Sequence, residues 1–327
     1  MQWLHQLPRH WQTTSVITYL LWPIELLYKL AWFVRRSSFA LGFIQTHKLD
    51  ATVIVVGNVV AGGGGKTPLT MAIVQRLTQQ GHQVGVVSRG YGRTQDQVQL
   101  VNAQSTADQV GDEPLLIFQK CQVPVAVGAN RVATAQQLLH QHPNIRFIVC
   151  DDGLQHAALQ RDIEICVMDS MGVGNGHMLP AGPLRESWPR AVDLLLHTQH
   201  RTLTEGFEST RQLSAHAING LGQSIELNAL QNQFVEVVCG IAKPQAFAQM
   251  LTARGIQIAQ LHALPDHANF SNWQASQPQL TLLCTEKDAI KLWASQPEAF
   301  AVPLQFEPEL SFWQAFDALV KTRHRYH

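Results

Sequence analysis

Charge is scarce in this 327-residue chain: Asp, Glu, Lys and Arg make up 15% of it, and the two signs balance at 24 each. Such a balance creates no global field for a polyanion, so nucleic acid is not an expected partner. Cysteine is sparse as well. The five (Cys121, Cys150, Cys166, Cys239 and Cys284) stand singly with no C-x-x-C spacing, four of them in apolar runs such as "FIVCDD" and "IEICVMD". Free, buried thiols in a reducing compartment are expected rather than a disulfide framework or a zinc site. No repeat or low-complexity segment interrupts the chain.

A long apolar run free of charge is also missing. The nearest candidate, "VITYLLWPIELLYKLAWFVRR", is almost long enough to cross a bilayer, which takes about 20 residues, but it contains Pro23, Glu25 and Lys29. Each charge at mid-bilayer costs about 2.5 to 3.5 kcal/mol, which disfavours a simple span. At helical spacing Thr18, Trp22, Glu25 and Lys29 form one stripe, and Leu20, Leu27, Leu30 and Val34 fall toward the other side. Arg35 and Arg36 follow directly, and Trp22, Trp32 and Phe33 suit headgroup depth. The pattern predicts a helix lying in a membrane interface, with a helix packed on the protein's own core as the alternative. No small-residue cleavage site follows, so a signal peptide fits poorly.

Directly behind this segment stands "ATVIVVGNVVAGGGGKTPLTMAIVQRLTQQG". Its first part is β-branched, uncharged and short, as a fully buried strand should be. Apolar residues at Leu69, Ile73 and Leu77 then predict a helix that stops at Gly81. Strand, glycine loop and helix form the context of a phosphate loop. Backbone N–H groups can wrap a phosphate only where no Cβ intervenes, and the helix N-terminus adds partial positive charge. The loop Val60, Ala61, Gly62, Gly63, Gly64, Gly65, Lys66 and Thr67 is therefore the expected nucleotide cradle. Lys66 would reach the β and γ phosphates and Thr67 would hold magnesium. Val60 departs from the strict pattern, which has glycine there.

Further segments alternate as a doubly wound α/β domain requires: "HQVGVVSRGYGR", "VPVAVGANR", "RVATAQQLLHQH" and "IRFIVCDDGLQH". Asp151 and Asp152 end an apolar strand, where a magnesium contact or a water-orienting acid belongs, although a helix cap explains them nearly as well. Asp112 and Glu113 of "VGDEPLLIF" stand ahead of a proline, which also suits an ordinary helix start. "GNGHMLPAGPLRE" is either punctuation or a substrate lid. The chain restarts a strand, helix, strand pattern at "FVEVVCGIAKPQAFAQMLTARGIQIAQLHAL". The expected organisation is residues 1–45 as an N-terminal membrane-associated segment, 46–225 as a P-loop domain with a doubly wound sheet, and 226–327 as a smaller C-terminal α/β lobe.

In this order, "VGNVVAGGGGKTP", "SRGYGR", "GDEP", "GANR", "DDGLQH", "LPAGPLRE", "PDHANF" and "TEKDAIKL" resemble the motifs of the tetraacyldisaccharide 4'-kinase family, the lipid A 4'-kinases of Gram-negative bacteria. The resemblance runs from about residue 15 to about residue 295. It implies a kinase that moves the γ-phosphate of ATP to the 4'-hydroxyl of a tetraacylated glucosamine disaccharide 1-phosphate, with Mg2+ as cofactor. It further implies work at the cytoplasmic face of the inner membrane, held peripherally or by a single N-terminal anchor, with no obligate protein partner. By motif, Lys66 and Thr67 match the ATP and magnesium ligands, Asp112 the proposed base, and His267 the histidine acting with it. Glu113, Asp151 and Asp152 match acidic positions near magnesium. Arg89, Tyr91, Arg131, Gln155, His156 and Arg185 fall in matching motifs and are expected to divide between nucleotide and lipid.

Two rival readings remain from the residues alone. One is a soluble phosphate-loop GTPase or ATPase switch, or a metal-insertion ATPase. The other is a membrane-peripheral nucleotide-binding regulator without transferase activity. "TEKD" does not help the GTPase, because Lys287 and Asp288 are adjacent where the guanine-reading motif separates them. Lipid dependence of ATP consumption discriminates among the three.

Overall fold

The computed structural model describes residues 10–62, 64–198, 201, 203 and 205–324; Gly63 of the expected cradle lies outside them. Two sheets organise the chain. With strands numbered in chain order, the larger runs β15 (Leu304–Pro308), β8 (Phe207–Leu213), β7 (Leu194–His197), β6 (Ile163–Met168), β1 (Thr52–Gly57), β5 (Phe147–Asp151), β2 (Val84–Ser88), β4 (Val125–Val127), β3 (Gln99–Leu100). The strands from β8 to β4 pair in parallel and each edge strand is antiparallel.

Both faces of this sheet are covered, which is why its strands read as continuous apolar runs. Side chains alternate across β1. Ile54 and Val56 enter one core with Leu69, Ile73 and Leu77 of the Lys66–Gln79 helix, together with Phe312 and Phe316. Val53 and Val55 enter the other core with Val132 and Leu138 of the Arg131–Gln141 helix.

The smaller sheet runs β10 (Ser224–Glu226), β9 (His216–Asn219), β14 (Phe300–Val302), β13 (Thr281–Thr285), β11 (Phe234–Cys239), β12 (Gln257–Ala263). The strands do not divide at residue 226. β9 precedes it and β10 straddles the expected boundary, yet both pair in the second sheet, whereas β15 pairs with β8 in register from Leu304↔Leu213 to Pro308↔Ser209. The helix Leu310–Arg323 then packs on the first core through Phe312, Phe316 and Val320. The apolar spacing of that last helix is satisfied only on the larger sheet, so the chain leaves the first body and returns to it.

The N-terminal helix spans Val16–Ala40. Its polar stripe turns inward: Thr18 and Glu25 are buried, and Glu25 accepts from the Met178 backbone N–H at 2.8 Å and lies 2.8 Å from His177 Nδ1. Tyr28 donates to the Arg185 carbonyl at 2.8 Å. Leu20, Leu27, Leu30, Phe33 and Val34 stay exposed, and only 11% of the most apolar window is buried. Trp22, on the same stripe and expected at headgroup depth, is half exposed. Packing on the protein's own core therefore accounts for the polar stripe, Tyr28 and Trp32, and leaves the apolar side uncovered.

Candidate active site

The glycine loop leaves β1 and turns into the Lys66–Gln79 helix. Gly65 has φ +105, and a Cβ there would lie 2.4 Å from Thr198 Cγ2 and 2.6 Å from Arg211 Nη2, so this position requires glycine. Val60 is buried in the core beside the loop, and its backbone bridges to Leu184. The Ala61 N–H donates to the Pro183 carbonyl at 2.8 Å. The missing glycine is thus an anchor that straps the loop to "LPAGPLRE".

Lys66 Nζ is 3.3 Å from Asn58 Oδ1 and 3.7 Å from Asp152. Asp151, at the end of β5, accepts from Thr67 Oγ1 at 3.3 Å and from Thr70 Oγ1 at 3.0 Å. Burial, with the charges of Glu113 and Asp152, pushes the Asp151 carboxyl up to about 7. Its neighbour behaves oppositely. Burial would raise Asp152, but Lys66 and Arg185 outweigh it and hold it below the usual carboxylate value. Asp152 also has φ 52, a left-handed backbone that a non-glycine residue rarely adopts outside a constrained site.

Arg185 holds both Asp152 oxygens at 3.1 Å and reaches Gln155 Oε1 at 3.3 Å. Gln155 donates to the Asn58 carbonyl at 2.9 Å and to Glu186 at 2.8 Å. This network forms one wall of a cavity of about 500 Å³, also lined by Arg89, His156, Arg161 and Arg190. Tyr28, Trp32, Arg35, Arg36 and Phe39 of the N-terminal helix line it too. Burial, then the Arg131 charge, pushes His156 down to about 4, so it is neutral at pH 7. Arg131 is buried, with Nη1 donating to the Gly128 carbonyl and Nε and Nη2 without hydrogen-bond partners among the described residues. His177, in the same loop as Arg185, serves instead as the anchor of Glu25.

On the other side of the loop, Asp112 opens the Asp112–Cys121 helix and is buried. Its Oδ2 lies 3.0 Å from His267 Nδ1 and 2.9 Å from Lys291 Nζ. Burial would raise this carboxyl, but those two hydrogen bonds outweigh it and hold it below the usual value. His267 has φ 61, and its ring centroid is 5.1 Å from that of Tyr91. Arg89 lines both the main cavity and a smaller cleft beside Gly90 and Tyr91. Glu113 faces Lys287 at 3.8 Å. Its charge still reaches Asp151, and no cluster of three or more potential metal ligands forms among the described residues.

Four residues at the site were not singled out from the sequence. Asp169 follows β6, accepts from the Gly64 N–H at 3.5 Å and pairs with Lys243 at 2.9 Å. Its signal was available, since "IEICVMD" ends an apolar strand in aspartate as "FIVCD" does. Arg211 crosses from β8 to the loop, and Lys243 and Lys291 come from the second lobe; nothing local marks Arg211 or Lys243, whereas Lys291 stands in the "TEKDAIKL" motif without having been given a role. "TEKD" forms a strand-to-helix turn, with Thr285 accepting from the Asp288 N–H at 3.2 Å.

A parallel sheet with a glycine loop at the carboxyl end of β1, a lysine and threonine opening the next helix, and acids at the ends of adjacent strands define a P-loop phosphotransferase. A family model described as tetraacyldisaccharide-1-P 4'-kinase matches residues 17–323. The chain belongs to that family. A tetraacyldisaccharide 4'-kinase of Acidovorax sp. (strain JS42) is 46% identical over 311 residues, covering 94% of this chain and 92% of the relative. One from Neisseria gonorrhoeae (strain ATCC 700825 / FA 1090) is 40% identical over 294 residues, covering 86% and 85%. The crystal structure of LpxK from Aquifex aeolicus in complex with ATP matches with TM-score 0.82 and 26% identity, covering 95% of this chain and all of that one. The chain is accordingly an ATP-binding kinase, and the soluble switch and metal-insertion readings are not favoured.

Proposed function

We propose that this kinase transfers the γ-phosphate of ATP to the 4'-hydroxyl of a tetraacylated glucosamine disaccharide 1-phosphate, giving the 1,4'-bisphosphate, at the cytoplasmic face of the inner membrane. The observation that carries this reading is the shared cavity. One wall comes from a helix whose apolar side is exposed, and the other from Asp152 and Arg185, which adjoin the phosphate-loop lysine. A lipid acceptor lying along the helix would present its sugar to the loop, while the exposed leucines rest in the bilayer.

The chemistry follows from the side chains. Phosphoryl transfer needs in-line positioning and charge neutralisation more than covalent help. Lys66 is poised for the β and γ phosphates, with Gly62, Gly64 and Gly65 leaving the loop backbone unobstructed. Thr67 and Asp151 are the residues that would hold Mg2+: a buried carboxylate resisting ionisation beside a threonine hydroxyl suits a hard cation that completes its shell with water and phosphate. The cation would neutralise charge on the transferring phosphate. Asp112 accepts the proton of the attacking hydroxyl, and His267 orients it across the two lobes. Arg89, Gln155 and Arg185 bind phosphate and sugar oxygens around the cavity, buried Arg131 acts from behind through its charge on His156, and His156 and Tyr91 border the acceptor.

The test is transfer of labelled γ-phosphate from ATP to a tetraacyl disaccharide 1-phosphate in detergent, with Asp112→Ala as control. Labelled lipid that disappears in the variant supports the reading. Nucleotide hydrolysis independent of lipid, with no labelled lipid, sinks it.

A further inference from the structure

Asp112 is held by two groups from the second lobe, and the transfer chemistry above uses only one of them. Lys291 Nζ and His267 Nδ1 approach the same oxygen, Oδ2, at 2.9 and 3.0 Å. Among the described residues no hydrogen bond reaches Oδ1. We propose that Lys291 is a positioning residue for the phosphoryl transfer: with His267 it pins Oδ2 of Asp112 and leaves Oδ1 as the atom that accepts the hydroxyl proton. This rests on the kinase reading above and deepens it.

The placement of Lys291 is built rather than incidental. It sits near the end of the Glu286–Leu292 helix, whose first turn is capped by Thr285 and whose Asp288, Ala289 and Leu292 are buried. Its ammonium lies 5.8 Å from the Phe270 ring centroid, and Phe270 is itself fully buried. Only 15% of the Lys291 side chain and 7% of the Asp112 side chain are exposed. A terminal carboxylate torsion is broad and roughly two-fold, so one hydrogen bond leaves the group free to swing. A second donor on the same oxygen removes that freedom.

None of the other charged groups here touches Asp112. Lys287 pairs with Asp266 at 2.9 Å, faces Glu113 at 3.8 Å and lies 3.4 Å from the far ring nitrogen of His267, and Lys120 pairs with Glu286. The last of these also joins the two helices but does not touch Asp112, so a simple tether between lobes exists without Lys291. In the transfer step the acceptor oxygen bonds to the γ-phosphorus as the bond to the β,γ-bridging oxygen breaks. The leaving ADP takes that electron pair and Asp112 Oδ1 takes the hydroxyl proton. Lys291 keeps its proton throughout.

The experiment measures kcat and both KM values, for ATP and for tetraacyl disaccharide 1-phosphate, in Lys291→Met, Lys291→Arg, Glu286→Gln and Lys291→Met/His267→Ala chains of matched thermal stability. Lys291→Met is expected to lower kcat on the order of 10²-fold with little change in the ATP KM, and Lys291→Arg to recover part of the loss. Glu286→Gln, which breaks only the tether, should stay near wild type. The double variant should lose less than the product of the single losses, because either change already frees the carboxylate. Unchanged kcat in Lys291→Met, equal loss in Glu286→Gln, or losses that multiply would each overturn the proposal. If Lys291→Met is not recovered folded, Lys291→Gln carries the same comparison. Failure of the wild-type chain to label the lipid would instead count against the kinase reading itself.

Discussion

Asp112 and His267 are separated by 155 positions in the chain, yet His267 Nδ1 rests 3.0 Å from Asp112 Oδ2. The aspartate opens a helix of the larger body, and the histidine sits in a loop after β12, held at φ 61. The two lobes therefore have to be in contact for the carboxylate to be oriented. Asp112→Ala should cost on the order of 10² to 10⁴-fold in kcat, the usual scale of a general base. His267→Ala should lower kcat less, because Asp112 itself remains to accept the proton even when its orientation is loosened. Steady-state turnover at saturating lipid checks both, and full turnover in His267→Ala would disprove the coupling.

Asp151 carries the clearest pH signature. Its carboxyl is raised to about 7, so between the unfolded value near 3.8 and that point the folded chain holds a proton that the unfolded chain does not. Stability contributed by this group therefore falls as pH rises through that window. A dication arriving with ATP must displace the proton. Binding of Mg2+ and ATP at pH 6 should release about one proton, and at pH 8.5 almost none. Calorimetry at pH 6 in two buffers of different ionisation enthalpy measures it. Equal heats in the two buffers would be incompatible with a protonated Asp151, and Asp151→Asn should abolish the difference.

How much of this was written in the sequence depends on the range of the interaction. The buried strands, the glycine loop and the Lys66 helix follow from local composition, and the ordered motifs led to the family. Of the contacts between distant segments, only the Asp112–His267 pairing was expected, and that from the family resemblance. Val60 looked like a lost glycine until its burial and its bridge to Leu184 showed what it anchors. Arg211 carries no local pattern that points to Gly65, and the "TEKDAIKL" motif that holds Lys291 does not by itself point to Asp112. The return of Leu304–Pro308 to the larger sheet is equally silent, because an edge strand of alternating polarity fits either sheet.

Away from the site, Glu236 is a fully buried carboxylate in the middle of the smaller sheet. Oε1 accepts from the Ser276 N–H and hydroxyl at 2.8 and 2.7 Å and lies 2.6 Å from His262 Nε2, while Oε2 accepts from the Gln277 N–H at 2.9 Å. Burial would raise its carboxyl, but these donors outweigh it and hold it below the usual value. The stability it contributes is therefore present above the unfolded value of 4.5 and lost as pH falls through the lowered one. Glu236→Gln turns an amide NH2 toward existing donors and should cost about 1 to 3 kcal/mol at pH 7. Urea unfolding at pH 7 and at pH 3.5 should show the gap between the two chains narrowing in acid. A gap that is absent at pH 7 would mean the donors find other partners.

The N-terminal helix invites a test that separates its two faces. Glu25 binds the body through Met178 and His177, while Leu27 and Leu30 point away, 68% and 60% exposed. If the exposed side rests in lipid, Leu27→Glu/Leu30→Glu should weaken flotation with anionic phospholipid vesicles by at least about 10-fold, since each buried leucine is worth roughly 1.5 to 3 kcal/mol. Phosphorylation of a detergent-dispersed acceptor should survive, because the cavity wall at Tyr28 and Trp32 is untouched. Glu25→Ala should do the reverse. It leaves the apolar face intact but releases the helix from the loop that carries Arg185, so vesicle binding persists while turnover falls. Wild-type flotation in the double glutamate variant would mean that this face meets something other than a bilayer.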